Sequence, residues 1–454
     1  MNRRKFLKTS ATSAALLLTR SAWAAGEGKN KASDDEILSQ TKDRIEKHRT
    51  ADGSILVRDE KGNPVRGAKI AVEQLRHDFL FACNFFMFER CGKPELEEAY
   101  RQRFAALLNY CTLGFYWAGY ESERGKPRYQ YTDQAAAWTR EHGITCKGHP
   151  LAWGNAAGSP KWLPDDPNEI ERLSLARVHD IVARFEGRID IWDVVNEATH
   201  LTDKPGKTKM AQWAAAKGAH LYVAEHLKAA RAANPKATLL VNDYRIDPAY
   251  YRILESLKED GKLLLDAVGI QSHMHDGVWP LQKVWDVCDT YSRLALPIHF
   301  TEITIVSGPK KGPGENWGET TAQGEERQAE QTANLYTTLF AHPSVRALTW
   351  WDFSDLGAWQ GAAAGWLRRD MSPKPVYDRL MALIKGAWWT KCAGATDSAG
   401  EFKLRAFYGE YHVSAELPNG ERLTKELHWE RGKNNHFELK AGGSPAGGAG
   451  SQDR

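Results

Sequence analysis

Two glutamates occupy the ends of apolar runs, where a chain can hold carboxyl groups for acid–base work. Ile189-Asp190-Ile191-Trp192-Asp193-Val194-Val195 is rich in β-branched residues, has no helical period, and ends in Asn196-Glu197. Such a run reads as a strand buried on both faces. Leu296-Pro297-Ile298-His299-Phe300-Thr301 repeats the pattern and ends in Glu302. Two buried strands that each deliver one carboxyl at the C-terminal end suggest a pair for cleaving glycosidic bonds. One carboxyl, kept protonated, gives its proton to the departing oxygen. The other, ionised, attacks the anomeric carbon or activates water.

Polar and aromatic residues gather at the ends of other apolar runs. They are Gly148-His149-Pro150-Leu151-Ala152-Trp153, Asn242-Asp243-Tyr244, Gln271-Ser272-His273-Met274-His275 and Trp350-Trp351-Asp352, with Trp359 and Trp366 behind the last. A pyranose offers C–H faces to indoles and hydroxyls to amides, imidazoles and carboxylates, and 17 tryptophans suit that ligand. Asn196 is placed to hold a sugar hydroxyl beside the reacting centre, and His273 to bond Glu302 and keep it charged. Two other readings compete: a catalytically silent sugar-binding barrel, and a metal-dependent barrel hydrolase. The latter has only His273-x-His275, and alternating strand residues point to opposite sides. No metal and no cofactor is therefore expected.

Positioning these groups on one rim requires a repeating scaffold. Between 77 and 388 an apolar strand, polar rim residues and an amphipathic helical stretch recur eight times. The strand candidates are His77–Phe86, Leu107–Tyr116, Ile144–Trp153, Ile189–Glu197, Thr238–Tyr244, Ala267–His273, Ile298–Glu302 and Ala347–Trp351. Eight βα units over about 310 residues fit an α/β (β/α)8 TIM barrel, with function at the C-terminal rim. No Gly-rich fingerprint follows a strand, so nucleotide binding has no support. Segment 51–76 reads as a small β hairpin around Lys61-Gly62-Asn63-Pro64. Segment 389–440 reads as a small β module, for packing or, alternatively, for binding carbohydrate. Segment 25–50 is polar with an exposed helix over Asp34–His48, and 441–454 is a Gly/Ser/Ala-rich disordered tail.

Residues 1–24 have the layout of a twin-arginine export signal: Arg3-Arg4-Lys5, an apolar stretch from Ala11 to Leu18, and Ala22-Trp23-Ala24. The chain is thus expected in the periplasm or outside the cell, as a monomer acting on poly- or oligosaccharide, free of membrane once the signal is cleaved. Lys and Arg total 61 against 58 Asp and Glu. The leader holds five of the basic groups and no acid, so the remainder is near neutral and nucleic acid is not a suggested partner. Six cysteines lack metal-ligand spacing, and Cys111 and Cys146 are expected as neighbouring buried thiols rather than a bridge.

Taken together, Gly148-His149…Trp153, Trp192-Asp193-Val194-Val195-Asn196-Glu197, Asn242-Asp243-Tyr244, Gln271-Ser272-His273, Thr301-Glu302, Trp351, Trp359 and Lys374-Pro375-Val376-Tyr377 resemble glycoside hydrolase family 10. That family is best known for endo-β-1,4-xylanases. The resemblance implies a retaining double displacement, with Glu197 as acid/base and Glu302 as nucleophile. It implies that His149, Asn196, Gln271 and His273 surround the −1 sugar, with Trp351 and Trp359 as aromatic walls. Trp153 would line the same cleft and Tyr244 the leaving-group side. The chain also departs from the family. Thr112–Glu121 carries Gly and aromatics where a Glu-Asn pair and a Lys usually hold the −2 sugar. Thr304 stands for a common Asp, and Asp352 for Gly. A decorated xylan, another β-linked glycan and a plant glycoside stay open as substrates.

Overall fold

The computed structural model describes residues 33–203, 206–310 and 317–442. The expected leader at 1–24 and all but two residues of the expected tail lie outside them. Eight parallel strands run in chain order: Leu80–Asn84, Tyr110–Gly114, Thr145–His149, Ile191–Asn196, Thr238–Asp243, Ala267–Ile270, Ile298–Ile303 and Val345–Trp350. They pair successively, and Ala347 of the eighth pairs with Leu80 of the first, closing a barrel. All eight sequence candidates correspond to these strands, and the architecture is the expected (β/α)8 barrel. The first begins later than His77, because that residue ends a different strand, Lys69–His77, before the chain turns.

Each crossover is helical for a local reason. The helix Pro167–Arg184 starts on Asp166, whose carboxylate accepts from the Asn168 amide, with Pro at its first turn. Its Ile170, Val178, Ile181 and Val182 recur at helical spacing and are buried against the barrel. Burying one such side chain stabilises the fold by roughly 1.5–3 kcal/mol, and proline at Val178 would break the stripe. Alternate strand residues face inward. The floor of the interior is apolar, with Ala82, Tyr110 and Ala347 in one cluster. Above it Thr112, Lys147, Asp193, His299, Thr301 and Thr349 are buried polar groups leading up to the rim.

The segments read separately as a hairpin and a C-terminal module form one β-sandwich. Thr50–Arg58 lies between Glu401–Phe407 and His436–Lys440, while Lys69–His77 lies between Lys391–Ala395 and Gly409–Glu416, with Arg422–Trp429 at the edge. Ile55, Val57, Ile70, Val72, Tyr411, Val413 and Trp429 share its core. Gly53 is required where Trp429 crosses, since a Cβ there would stand 2.4 Å from the indole. The polar segment near the N-terminus is two helices, Asp34–Ser39 and Thr41–Arg49, rather than one exposed helix. Ile37 and Ile45 are buried. Arg49 donates to the Phe340, His342 and Val345 carbonyls at 2.6, 2.6 and 3.0 Å, satisfying the end of helix Ala322–Ala341. Cys111 and Cys146 pair across strands two and three as thiols with sulfurs 3.5 Å apart. No helix of the described residues is long and apolar enough to cross a membrane.

Candidate active site

Strands four and seven bring Glu197 and Glu302 to the C-terminal rim, and irregular backbone aims them. The pairing of strand four with strand five shifts register between Asp193 and Val195, and that of strand seven with strand eight between Phe300 and Ile303. Such bulges re-aim side chains next to functional sites. Glu197 itself has a φ of 56°, a left-handed conformation costly for a residue with a Cβ. Its amide is held by the Asn242 carbonyl at 2.8 Å.

Glu302 is buried and fully engaged. Asn242 Nδ2 donates to its Oε1 at 2.6 Å, and His273 Nε2 lies 3.0 Å from its Oε2. His149 Nε2 stands 3.9 Å from Oε1. Burial alone would raise this carboxyl, but His149, His273 and Lys147 outweigh it and hold it below the ordinary carboxylate value. His149 is itself fixed by Asp193, whose Oδ2 lies 2.8 Å from Nδ1 and 2.6 Å from Lys147 Nζ. Asp193 is likewise lowered: burial opposes ionisation, and Lys147 and His149 overcome it. The site therefore rests on a buried chain of charge running up the barrel axis.

Glu197 is the more accessible partner. Trp153 Nε1 donates to Oε2 at 3.0 Å and Gln271 Nε2 to Oε1 at 3.1 Å. His200 Nδ1 lies 3.2 Å from Oε2, and its Nε2 lies 2.8 Å from the Tyr244 hydroxyl. The hydrogen bond to Glu197 raises His200 above its ordinary value despite partial burial. Asn196 Oδ1 accepts from both Asn242 Nδ2 at 2.9 Å and Gln271 Nε2 at 3.1 Å. Those two bonds fix the Asn196 side chain where it lines the cleft beside both carboxyls.

A cleft of about 570 Å³ is lined by both glutamates and by His149, Trp153, Asn196, Gln271, His273, Trp351 and Trp359. Nine of the ten residues expected from sequence thus share one cavity. Tyr244 stands outside its lining, half-exposed, and reaches Glu197 through His200. Trp351 packs edge-on against Phe86, His149 and His273, while Trp359 leans over His273 with centroids 4.6 Å apart. Of the aromatic replacement at 115–117, Phe115 and Trp117 are core residues, and only Tyr116 lines the cleft. Both ring nitrogens of His273 are engaged, by Glu302 and by Thr304 at 3.0 Å. Among the described residues no group of three or more side chains could hold a metal ion.

The sequence reading placed Asn242 on the rim and both Asn242 and Asp193 in the family pattern but gave neither a role, and it missed His200 and Lys147. Asn242 sits at the end of strand five beside a recognised Tyr, and its rim position was the available signal. His200 follows Glu197 by three residues, and its amide donates to the Glu197 carbonyl at 3.2 Å, so a tight turn brings the two side chains together. Lys147 carried no signal, since a lysine inside an apolar strand reads as an irregularity.

A closed (β/α)8 barrel with two differently held carboxyls in a tryptophan-walled rim cleft defines a barrel of the glycoside hydrolase class. The model of glycosyl hydrolase family 10 matches residues 89–383, and the chain belongs to that family. It is 28% identical over 285 residues to endo-1,4-beta-xylanase 5 of Arabidopsis thaliana, covering 59% of this chain and 47% of that protein. It is 25% identical over 412 residues to anti-sigma-I factor RsgI6 of Acetivibrio thermocellus, covering 87% of this chain and 49% of the relative. The chain spans about half the length of these curated relatives. Native xylanase 10B from Thermotoga maritima superimposes with a TM-score of 0.57 at 21% identity, over 68% of this chain and 96% of that one. That likeness carries the fold.

Proposed function

We propose that the protein is a retaining glycoside hydrolase that cleaves β-1,4-linked xylan-type polysaccharide. The observation that carries this is the unequal treatment of the two carboxyls. Glu302 is buried among groups that favour its charge, as a nucleophile needs. Glu197 faces the cleft at 13% side-chain exposure, where a leaving-group oxygen can reach it. In the first step Glu302 attacks the anomeric carbon, the glycosidic C–O bond breaks, and the proton of Glu197 passes to the departing oxygen. In the second, Glu197 takes a proton from water, whose oxygen displaces Glu302 and frees the sugar with its configuration retained. Asn196 holds a hydroxyl of the reacting sugar, and Trp351 and Trp359 cover its apolar faces. His200 and Tyr244 mark the leaving-group side, because they adjoin the proton donor. The names of relatives such as endo-1,4-beta-xylanase 5 favour xylan. Export by the leader at 1–24 would place the enzyme with such polymers.

The test is product analysis on linear xylan, glucuronoarabinoxylan, β-glucan and aryl β-glycosides, with proton NMR of the first anomer released. Xylo-oligosaccharides released in the β configuration, and none from Glu302→Ala, are expected. An α first product would overturn the mechanism. Cleavage of aryl glycosides alone would move the substrate to a shorter glycan, consistent with Tyr116 standing in the cleft.

A further inference from the structure

Asp352 follows the Trp351 wall at the end of strand eight, at the position where the family resemblance leads one to expect glycine. It lines the cleft but takes no part in the chemistry above. The side chain is 6% exposed. Its Oδ1 accepts the backbone N–H of Trp359 at 3.0 Å, whereas its Oδ2 is shielded from solvent and has no hydrogen-bond partner. The neighbouring Asp355 is arranged otherwise: Lys374 Nζ lies 2.8 Å from its Oδ2, and the Gly365 amide donates to its Oδ1 at 2.9 Å. One acid of this loop is therefore fully paired, and the other makes a single bond.

That single bond holds a particular residue. Trp359 opens the short turn Trp359–Gly361, in which Gln360 adopts a φ of 57°. The indole is 45% exposed and is supported mainly by His273 and His275, with centroids 4.6 and 5.2 Å away. The ring is half-exposed, and its backbone is held at the amide by Asp352 and at the carbonyl by the Ala362 amide at 3.2 Å, so the bond to Asp352 fixes the side of Trp359 that enters the turn. We propose that Asp352 is a positioning residue: it latches the Trp359 backbone so that the indole stands as the outer wall of the cleft, and the latch slackens when the carboxyl is protonated. The role of Trp359 as a sugar wall rests on the function proposed above; the latch itself does not.

The chemistry of the two oxygens makes the device work. A proton can settle on Oδ2 without breaking any bond, leaving Oδ1 as a neutral and weaker acceptor. Burial raises this carboxyl to about 7. The groups that face it are few. His273 on the sixth-strand rim lowers it, and Asp355 raises it while paired with Lys374. Cys83 of strand one and Tyr116 after strand two also sense its charge, and both are raised chiefly by their own burial. No cation is paired with Asp352 among the described residues, and burial outweighs the Trp359 amide and His273, which both lower it.

Hydrogen exchange at the Trp359 amide in the free, full-length protein tests the latch without any substrate. After correction for base catalysis, wild type is expected to show about fivefold stronger protection at pH 8 than at pH 6, the difference between a charged and a neutral acceptor. Asp352→Asn, which keeps the acceptor and cannot titrate, should hold the acid-side protection at both pH values. Asp352→Ala should lose it. Alongside, KM on an aryl β-glycoside should fall about fivefold from pH 6 to 8 relative to Asp352→Asn, with kcat of the two proteins within about twofold. A pH step that persists in Asp352→Asn, or wild-type protection in Asp352→Ala, overturns the proposal. If wild type turned over no glycoside while the exchange pattern held, the functional reading would fail and the latch would stand.

Discussion

Replacing Asp193 by asparagine puts the buried charge chain under direct strain. Lys147 and Asp193 meet at 2.6 Å with side-chain exposures of 1% and 0%. Asparagine keeps the shape and removes the negative charge, so Lys147 is left as a buried cation. Breaking one partner of such a pair costs about 3–5 kcal/mol, because the surviving charge is uncompensated. With an unfolding entropy near 2.1 cal/mol/K per residue and about 400 folded residues, the expected drop in Tm is roughly 4–6 °C. Calorimetry at pH 7 measures it. Lys147→Met added to Asp193→Asn removes the stranded cation and should recover most of the loss, while Lys147→Met alone should cost less than Asp193→Asn. The pH dependence has a definite sign. Asp193 is held below its unfolded value, so its contribution is complete above about pH 4 and fades as pH falls through the folded value. The gap between wild type and Asp193→Asn should therefore close in acid. A double variant no more stable than Asp193→Asn would refute the reasoning, because the loss would then come from the hydrogen bond to His149 rather than from charge.

Asn242→Ala removes the 2.6 Å bond to Glu302 and the 2.9 Å bond to Asn196. A hydrogen bond to a charged group is worth about 1.5–3 kcal/mol, so kcat/KM should fall about 10- to 150-fold, and a change below threefold would contradict the role given to Asn242. His273→Ala takes away a hydrogen bond and a charge that lower Glu302. The acid limb of kcat/KM should then move to higher pH, since Glu302 becomes protonated earlier; a limb that stays or moves down would count against it. Mild alkylation of the native protein should label Cys392 alone, the one cysteine that is not buried, with the other five reacting only after unfolding. A pair that resists labelling in denaturant until reduced would show that Cys111 and Cys146 are bridged.

Much of this design was legible in the sequence, and its limits have physical causes. Barrel strands are buried on both faces, so each appears as an apolar run broken by rim residues, and Glu197 and Glu302 announce themselves at the ends of two such runs. His77 misled for the same reason: it abuts an apolar run, yet it closes a sandwich strand and is held by the Ile384 carbonyl at 3.2 Å. Nonlocal pairing was invisible. Ile55 stands beside Phe402 and Phe437, and no local pattern announces partners that far away in the chain. Alternation also failed to tell cleft from core at 115–117, where Phe115 packs on Phe185 and Trp192 while Tyr116 turns to the site. Asn242 and His200 act through other side chains, and such roles leave no trace in composition or period.

The β-sandwich sets an order on the birth of the molecule. Its strands Thr50–Arg58 and Lys69–His77 leave the ribosome before the barrel, while their partners, from Lys391 to Lys440, emerge after it. Through synthesis of more than three hundred residues the early strands have only temporary neighbours, and their unpaired edges invite other chains. Glu401–Phe407 closes one edge of Thr50–Arg58, and the other stays open until His436–Lys440 is made. A ribosome that stops short of His436 therefore releases a product marked as unfinished at its beginning as well as its end, with one edge of Thr50–Arg58 left open for chaperones and proteases to find.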